Sequence, residues 1–261
     1  AELADLIRKL DGTRPIMFES DADPEGAADI ISLHYPRDWP WVQTLPNEAW
    51  WLPGPIPYHP WASGPGFPPE FKWDKRKPLY IGEMCHADPP YALRAATFFG
   101  ERAYTDPARY RGEASALAYR FYIEAYRASR AGCALPLGLN WKWDPKNPFI
   151  RAGVEWFRPL FAFVKEYSPR LYGGREAGRT VYVCNDTFKV IKGKVFWRLK
   201  AAGRSVAAGS IPTTLWPAQV RSFRARFKVP RVSRPIRLTF EFGLTDTKGR
   251  VVFADSRALY A

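Results

Sequence analysis

With 261 residues, of which 46% are hydrophobic and 16% aromatic, the chain has room for one large domain or two ordinary ones and is too apolar to be disordered. Three cysteines, Cys85, Cys133 and Cys184, exclude a disulfide scaffold and have no metal-ligand spacing. No run of about 18 apolar residues marks a membrane span, and no basic-then-apolar start marks a signal peptide. The formal net charge of +13 invites a polyanion partner, but basic residues thicken only in the C-terminal third, at positions such as Arg221, Arg224, Arg226 and Lys228, where alternation reads as the solvent face of a strand.

Along the chain, Leu3, Leu6, Ile7 and Leu10 lie at helical spacing, so the sequence opens on an amphipathic helix. A turn at Asp11 to Pro15 leads into a short apolar strand ending at Glu19 and Ser20. A second strand over 28–36 ends on His34 and Tyr35. Residues 36–77 form a stretch rich in Pro, Gly and Trp, with Trp39, Trp41, Trp50, Trp51, Trp61 and Trp73. Such an insertion either walls a cleft with stacking platforms or packs on itself. Residues 77–84 then give a short apolar run ending on Gly82 and Glu83, a buried strand with a carboxylate at its C-terminal tip. A long helix follows, N-capped at Thr105, with Pro107 in its first turn and Gly132 as its stop. A strand over 134–144 ends on Asn140, Trp141 and Trp143, and a helix over 148–167 is read from Val154, Phe157, Leu160, Phe161 and Val164. From Thr180 onward the period changes to two, in segments near 181–186, 193–199, 221–227, 236–242 and 250–253, with an Asp246-to-Gly249 turn. That is the pattern of an antiparallel sandwich.

The order of the strand endings resembles the second half of the catalytic barrel in retaining glycoside hydrolases of the large barrel clan, most closely family 2, which includes β-galactosidases, β-mannosidases and β-glucuronidases. In that family D-x-T-R-P (here Asp11 to Pro15) opens the fifth barrel strand, H-Y (His34, Tyr35) ends the sixth, K-P-x-x-x-G-E (Lys77 to Glu83) carries the nucleophile on the seventh, and a Trp ends the eighth. The resemblance covers roughly residues 1–165. It implies the C-terminal half of a (β/α)8 TIM barrel, strands five to eight, over residues 1–167. A linker over 168–178 and an immunoglobulin-like β-sandwich over 179–261 follow, the latter opening on the V-x-N-D of Val183 to Asp186.

Retaining hydrolysis needs two carboxyl groups about 5–5.5 Å apart, one attacking the anomeric carbon and one protonating the leaving oxygen. The resemblance assigns the nucleophile to Glu83, with a merely structural carboxylate as the other reading. It assigns substrate binding to His34, Tyr35 and Trp141, with core packing as the alternative for each ring. Asn140 is a candidate donor to a sugar hydroxyl, with a turn role as the alternative, and His86 and Asp88, in a loop after the nucleophile strand, are candidate substrate contacts. The family's acid/base, an N-E pair on the fourth strand, is expected upstream of Ala1. The Asn47-Glu48 pair lies in the Trp-rich stretch with no strand before it and reads as coincidence. Glu19 borders the cleft but sits on the wrong strand for the acid. The expectation is thus a fragment of a carbohydrate-acting retaining β-glycosidase, inactive alone, with no cofactor or metal and no nucleic-acid or membrane partner. A non-catalytic carbohydrate-binding or scaffold protein, or a polyanion-binding module built on the sandwich, are the rival readings.

Overall fold

A computed structural model describes residues 2–19, 23–34, 55–57, 70–83, 92–130, 132–133 and 144–261. Its backbone contacts divide into two units, Ala1–Trp156 and Phe157–Ala261. Most of the regular structure is β-sheet, with a few helices, and most of the sheet lies in the second unit.

In the first unit, helix α1 (Glu2–Leu10) forms where the spacing predicts it. Its apolar row is nevertheless exposed, and only Ala4 of the helix is buried. Arg8 ties it down, donating to the Ala27 carbonyl at 2.7 Å and to Asp29 at 3.0 Å. The D-x-T-R-P segment is a local turn: the Asp11 carboxylate accepts from the Thr13 amide at 2.9 Å and from its hydroxyl at 2.5 Å, and pairs with Arg14 at 3.2 Å. These bonds hold the Asp11 carboxyl below its usual range, the hydroxyl bond contributing most. The segment after it makes only a single parallel bridge, Met17 to Ile30, where a full strand was expected. A turn at Pro24–Gly26 leads into β1 (Ile31–His34).

Strands β2 (Pro55–Pro57) and β3 (Glu70–Lys72) form a separate antiparallel pair. Strand β4 (Leu79–Glu83) runs parallel to β1. After α2 (Ala92–Phe99) and α3 (Arg102–Thr105) comes α4 (Pro107–Ser129). Its N-cap is Asp106 rather than Thr105, accepting from the Arg109 amide, and its end is set by Arg130 at φ 64° rather than by Gly132. Gly132 already belongs to β5 (Gly132–Cys133), which completes a parallel sheet of order β1-β4-β5. Helix α5 (Pro148–Trp156) packs along α4, where Arg127 donates to the Trp156 carbonyl at 2.7 Å and the buried Glu124 pairs with Arg120 at 2.6 Å.

The helix expected over 148–167 stops at Trp156. Pro159 cannot continue it, and Leu160–Val164 is a strand, β6. The misreading has a plain cause, because every residue from Leu160 to Val164 is apolar and such a run fits a period of 3.6 as well as any other. The second unit therefore begins before the segment 168–178 that was expected to be a linker, and Glu176 to Gly178 already lie in β7 (Glu176–Asn185).

Strands β8 (Ile191–Ala201), β9 (Arg204–Leu215), β10 (Gln219–Lys228), β11 (Arg237–Asp246) and β12 (Val251–Tyr260) complete two antiparallel sheets, of order β10-β7-β6 and β12-β11-β8-β9. Alternation decides which side faces in: Val195, Trp197 and Leu199 of β8 are buried, as are Phe240 and Phe242 of β11. Phe227 of β10 meets Trp197 and Phe240 across the gap, with ring centroids 5.8 and 5.6 Å apart, so the two sheets face each other as a sandwich. The Asp246-to-Gly249 turn is as expected. Asp246 accepts from the Lys248 and Arg250 amides, and Gly249 takes φ 79°.

Candidate active site at the strand ends

A parallel sheet directs the C-terminal tips of its strands to one edge, which is where ligands bind in open and closed α/β folds. Three side chains or backbone positions of the first unit meet at that edge. His34 ends β1 and Glu83 ends β4, and the two are register partners after an irregularity at Leu33/His34. Glu19, at the end of the segment bridged to Ile30, reaches His34 with its carboxylate against the imidazole Nε2. Its side chain is 58% exposed and that of His34 16%, so the pair borders solvent.

The glycine of the G-E motif has a steric reason. A Cβ at Gly82 would fall 2.6 Å from Glu19 Oε1 and 2.7 Å from His34 Nε2. Only a residue without a side chain lets the Glu19–His34 pair lie against the β4 backbone immediately before Glu83. Glu19, read from the sequence as bordering the cleft, has no role assigned to it there. The signal was its rank, since it closes its segment as His34 and Glu83 close theirs.

The other end of the same sheet is a structural anchor. Lys77, the lysine of the K-P motif, donates to Asp23 at 2.7 Å and to the Gly26 carbonyl at 2.9 Å, fixing the entry to β4 against the turn before β1. Asp29 accepts from the Ile16 amide and from Arg8, and these bonds, the backbone one foremost, lower its carboxyl below the usual range. A cleft of about 360 Å³ lies here, lined by Asp23, Ile31, Lys72, Asp74, Arg76 and Lys77, in which Asp74 pairs with Arg76 and Asp23 with Lys77.

Tyr35, His86, Asn140 and Trp141 lie outside the described residues, as do Asp88, the Asn47-Glu48 pair and Trp39, Trp41, Trp50, Trp51 and Trp61. Trp73 of the Trp-rich stretch is described and is no platform: it is buried, with its indole N–H donating to the Lys77 carbonyl at 2.9 Å. Among the described residues no group of His, Cys, Asp and Glu is arranged to hold a metal, and no helix is long and apolar enough to cross a membrane.

No protein-family model matches the sequence, and no curated protein matches it. Solved structures with a partial likeness include a β-glucuronidase from glycoside hydrolase family 2, at 12% identity and a TM-score of 0.29, over 38% of this chain and 11% of that one. A cycloisomaltooligosaccharide glucanotransferase from Paenibacillus sp. is similar at 14% identity and a TM-score of 0.31, over 39% of this chain and 13% of that one. A protein assigned to the late embryogenesis abundant group is similar at 18% identity and a TM-score of 0.29, over 43% of this chain and 76% of that one. The chain thus spans about an eighth or less of the two carbohydrate-active enzymes, and likeness at these scores carries no argument about activity.

Proposed function

We propose that this chain is part of a retaining β-glycoside hydrolase of the family 2 type, with the first unit contributing half of a (β/α)8 barrel, the second an immunoglobulin-like sandwich, and Glu83 the nucleophile. The observation that supports this reading is the arrangement at one sheet edge. Parallel segments follow one another in chain order, and Glu83 ends the middle one opposite His34, beside a glycine that the Glu19–His34 pair requires. A nucleophilic carboxylate at a strand tip attacks the anomeric carbon to give a glycosyl ester, and water later hydrolyses it. The Glu19 carboxylate is already engaged by His34. We assign it to holding that ring toward a sugar hydroxyl and not to protonating the leaving oxygen. Tyr35, His86, Asn140 and Trp141 remain proposed substrate contacts.

The test is labelling of the intact protein with 2-fluoro β-glycosides that carry an activated leaving group, which lowers the demand for acid assistance. A covalent adduct on the peptide containing Gly82 and Glu83 is the expected result, and Glu83→Gln, nearly isosteric, should abolish it without loss of fold. Absence of any adduct across gluco, galacto, manno and glucurono probes in folded protein would overturn the assignment. In that case a non-catalytic carbohydrate-binding role is the reading that survives.

A further inference from the structure

The charge of this chain is divided unevenly. Residues 157–261 hold 21 Lys and Arg against 6 Asp and Glu, a net +15, whereas residues 1–156 hold 18 against 20, a net −2. The excess positive charge is a property of the sandwich alone.

Within the sandwich the cations form a line. Among the described residues strand β10 is the edge of its sheet, pairing there with β7. Phe223, Ala225 and Phe227 are buried, while the alternate residues Arg224, Arg226 and Lys228 are exposed and recur about every 7 Å along an extended strand. Arg224 is engaged by Glu166 and Thr180. Arg226 and Lys228 form no ion pair among the described residues, although Glu176 is the register partner of Lys228.

The line continues past the end of the strand. The Val229 amide donates to the Arg175 carbonyl at 2.9 Å, and the Gly174 amide donates to the Val229 and Pro230 carbonyls. These bonds bring Arg175 and Arg231 to an open cleft of about 390 Å³ whose floor is the Gly173-Gly174 turn. Gly174 takes φ 74°, and a Cβ there would lie 3.0 Å from the Arg231 stem, so the turn stays bare beneath that side chain. Tyr172, 84% exposed, immediately precedes it.

We propose that the β10 edge and the Arg175–Arg231 cleft form a binding face for a linear acidic polysaccharide, one bearing carboxylate or sulfate groups along its length. A row of unpaired cations binds a polyanion by releasing its counterions. The guanidinium forks of Arg175 and Arg231 suit planar or tetrahedral oxyanions, and an exposed tyrosine ring offers a flat apolar face to a sugar. Nucleic acid is the poorer fit: β10 exposes Arg221, Ser222, Arg224, Arg226 and Lys228 with no aromatic among them, and the one exposed ring beside the cleft, Tyr172, would stack a single base where strand binding uses successive ones. The anionic character rests on the charge distribution, and the carbohydrate character rests on the glycosidase reading of the first unit.

Affinity electrophoresis of the full chain through gels containing dextran sulfate, polygalacturonate or neutral dextran separates the two claims, because it requires no turnover. Retardation in both anionic gels only, lost as salt is raised, is expected. The triple variant Arg226→Glu, Lys228→Glu, Arg231→Glu should bind about tenfold or more weakly. The triple variant Lys192→Glu, Lys194→Glu, Arg204→Glu makes the same charge change on the other sheet and should retain most of the binding. Should the first triple fail to fold by circular dichroism, Arg226→Gln with Lys228→Gln carries the test with a smaller expected loss.

Equal loss in the two triples would reduce the effect to overall charge and overturn the proposal, as would no retardation at low salt. A single-stranded oligonucleotide that bound more tightly than either polysaccharide at the same salt would also overturn it. Glu83→Gln should bind the anionic gels unchanged. Unchanged binding in a protein that no fluoro-sugar labels would count against the glycosidase reading while leaving this face intact.

Discussion

At the scale of single residues, the two glycine- and asparagine-centred motifs turn out to have physical content that the sequence carries only as letters. The Glu19–His34 pair occupies the space that a Cβ at residue 82 would take, so a larger residue there would displace it. Asn185, from the V-x-N-D segment, is fully buried, and its amide donates to the Lys189, Leu215 and Trp216 carbonyls at 2.8 to 3.1 Å. Its carbonyl accepts from the amide and hydroxyl of Thr187. One side chain thus joins the β7–β8 turn to the end of β9, bonding the buried Leu215 carbonyl and the Lys189 and Trp216 carbonyls, which also accept from the Thr187 hydroxyl and the Gln219 amide. Replacing it with alanine removes this buried set of bonds at one stroke, so Asn185→Ala should destabilise the sandwich by about 2–4 kcal/mol. Urea unfolding followed by hydrogen exchange in peptides from β7 and β8 measures this, and a loss under about 0.5 kcal/mol would show that water replaces the amide.

At the scale of elements, β6 is joined to the sandwich through Glu166, which follows it. Glu166 accepts from the Thr180 amide at 2.6 Å and hydroxyl at 2.7 Å and is paired with Arg224 of β10. Burial alone would raise this carboxyl. The Thr180 bonds and the Arg224 charge outweigh burial and hold it below its ordinary 4.5. A carboxyl with a lowered folded-state pKa contributes stability that is present above its unfolded value and lost as pH falls through the folded one. The sandwich should therefore weaken from about pH 4.5 downward. Glu166→Gln should flatten that acid limb while lowering stability at pH 7, as chemical denaturation at pH 3, 4, 5 and 7 would read out. An acid limb unchanged by the substitution would assign it to other carboxylates. The elements themselves were legible in proportion to how sharply their pattern discriminates. Five alternating segments of the sandwich announced β7, β8, β10, β11 and β12. The all-apolar β6 was indistinguishable from a helix, and β9, with Pro212 and a run of small residues, showed no clear alternation. In the candidate site, His34 and Glu83 were legible as strand endings. Glu19 was legible in the same way, but its pairing with His34 was not, because its segment is held by a single bridge and the contact reaches across to another strand, which no spacing in the sequence encodes.

For the molecule as a whole, the separation of charge sets how each unit responds to salt. With 21 cations against 6 anions, the sandwich carries more like-charge than opposite-charge neighbours, and its compact state is opposed by self-repulsion. Salt weakens both signs of interaction, so it also weakens favourable pairs such as Lys200–Glu241 at 2.5 Å and Arg224–Glu166. Those pairs are part-exposed and contribute at most about 1 kcal/mol each. The repulsive excess is distributed over many sites within a Debye length of about 10 Å at 0.1 M salt, and it should prevail. Raising salt from 20 to 300 mM should stabilise the sandwich by about 1 kcal/mol, equivalent to about 4–8 °C in midpoint for a domain of this size. The first unit, near neutrality at −2, should shift much less. Hydrogen exchange read by mass spectrometry on peptides from β7, β8 and β11 against peptides from α4 and α5 resolves the two units in one experiment. Slower exchange with salt in the sandwich peptides alone is the expected outcome. A uniform change across both sets, or faster exchange in the sandwich, would mean that its ion pairs and not its net charge govern its stability.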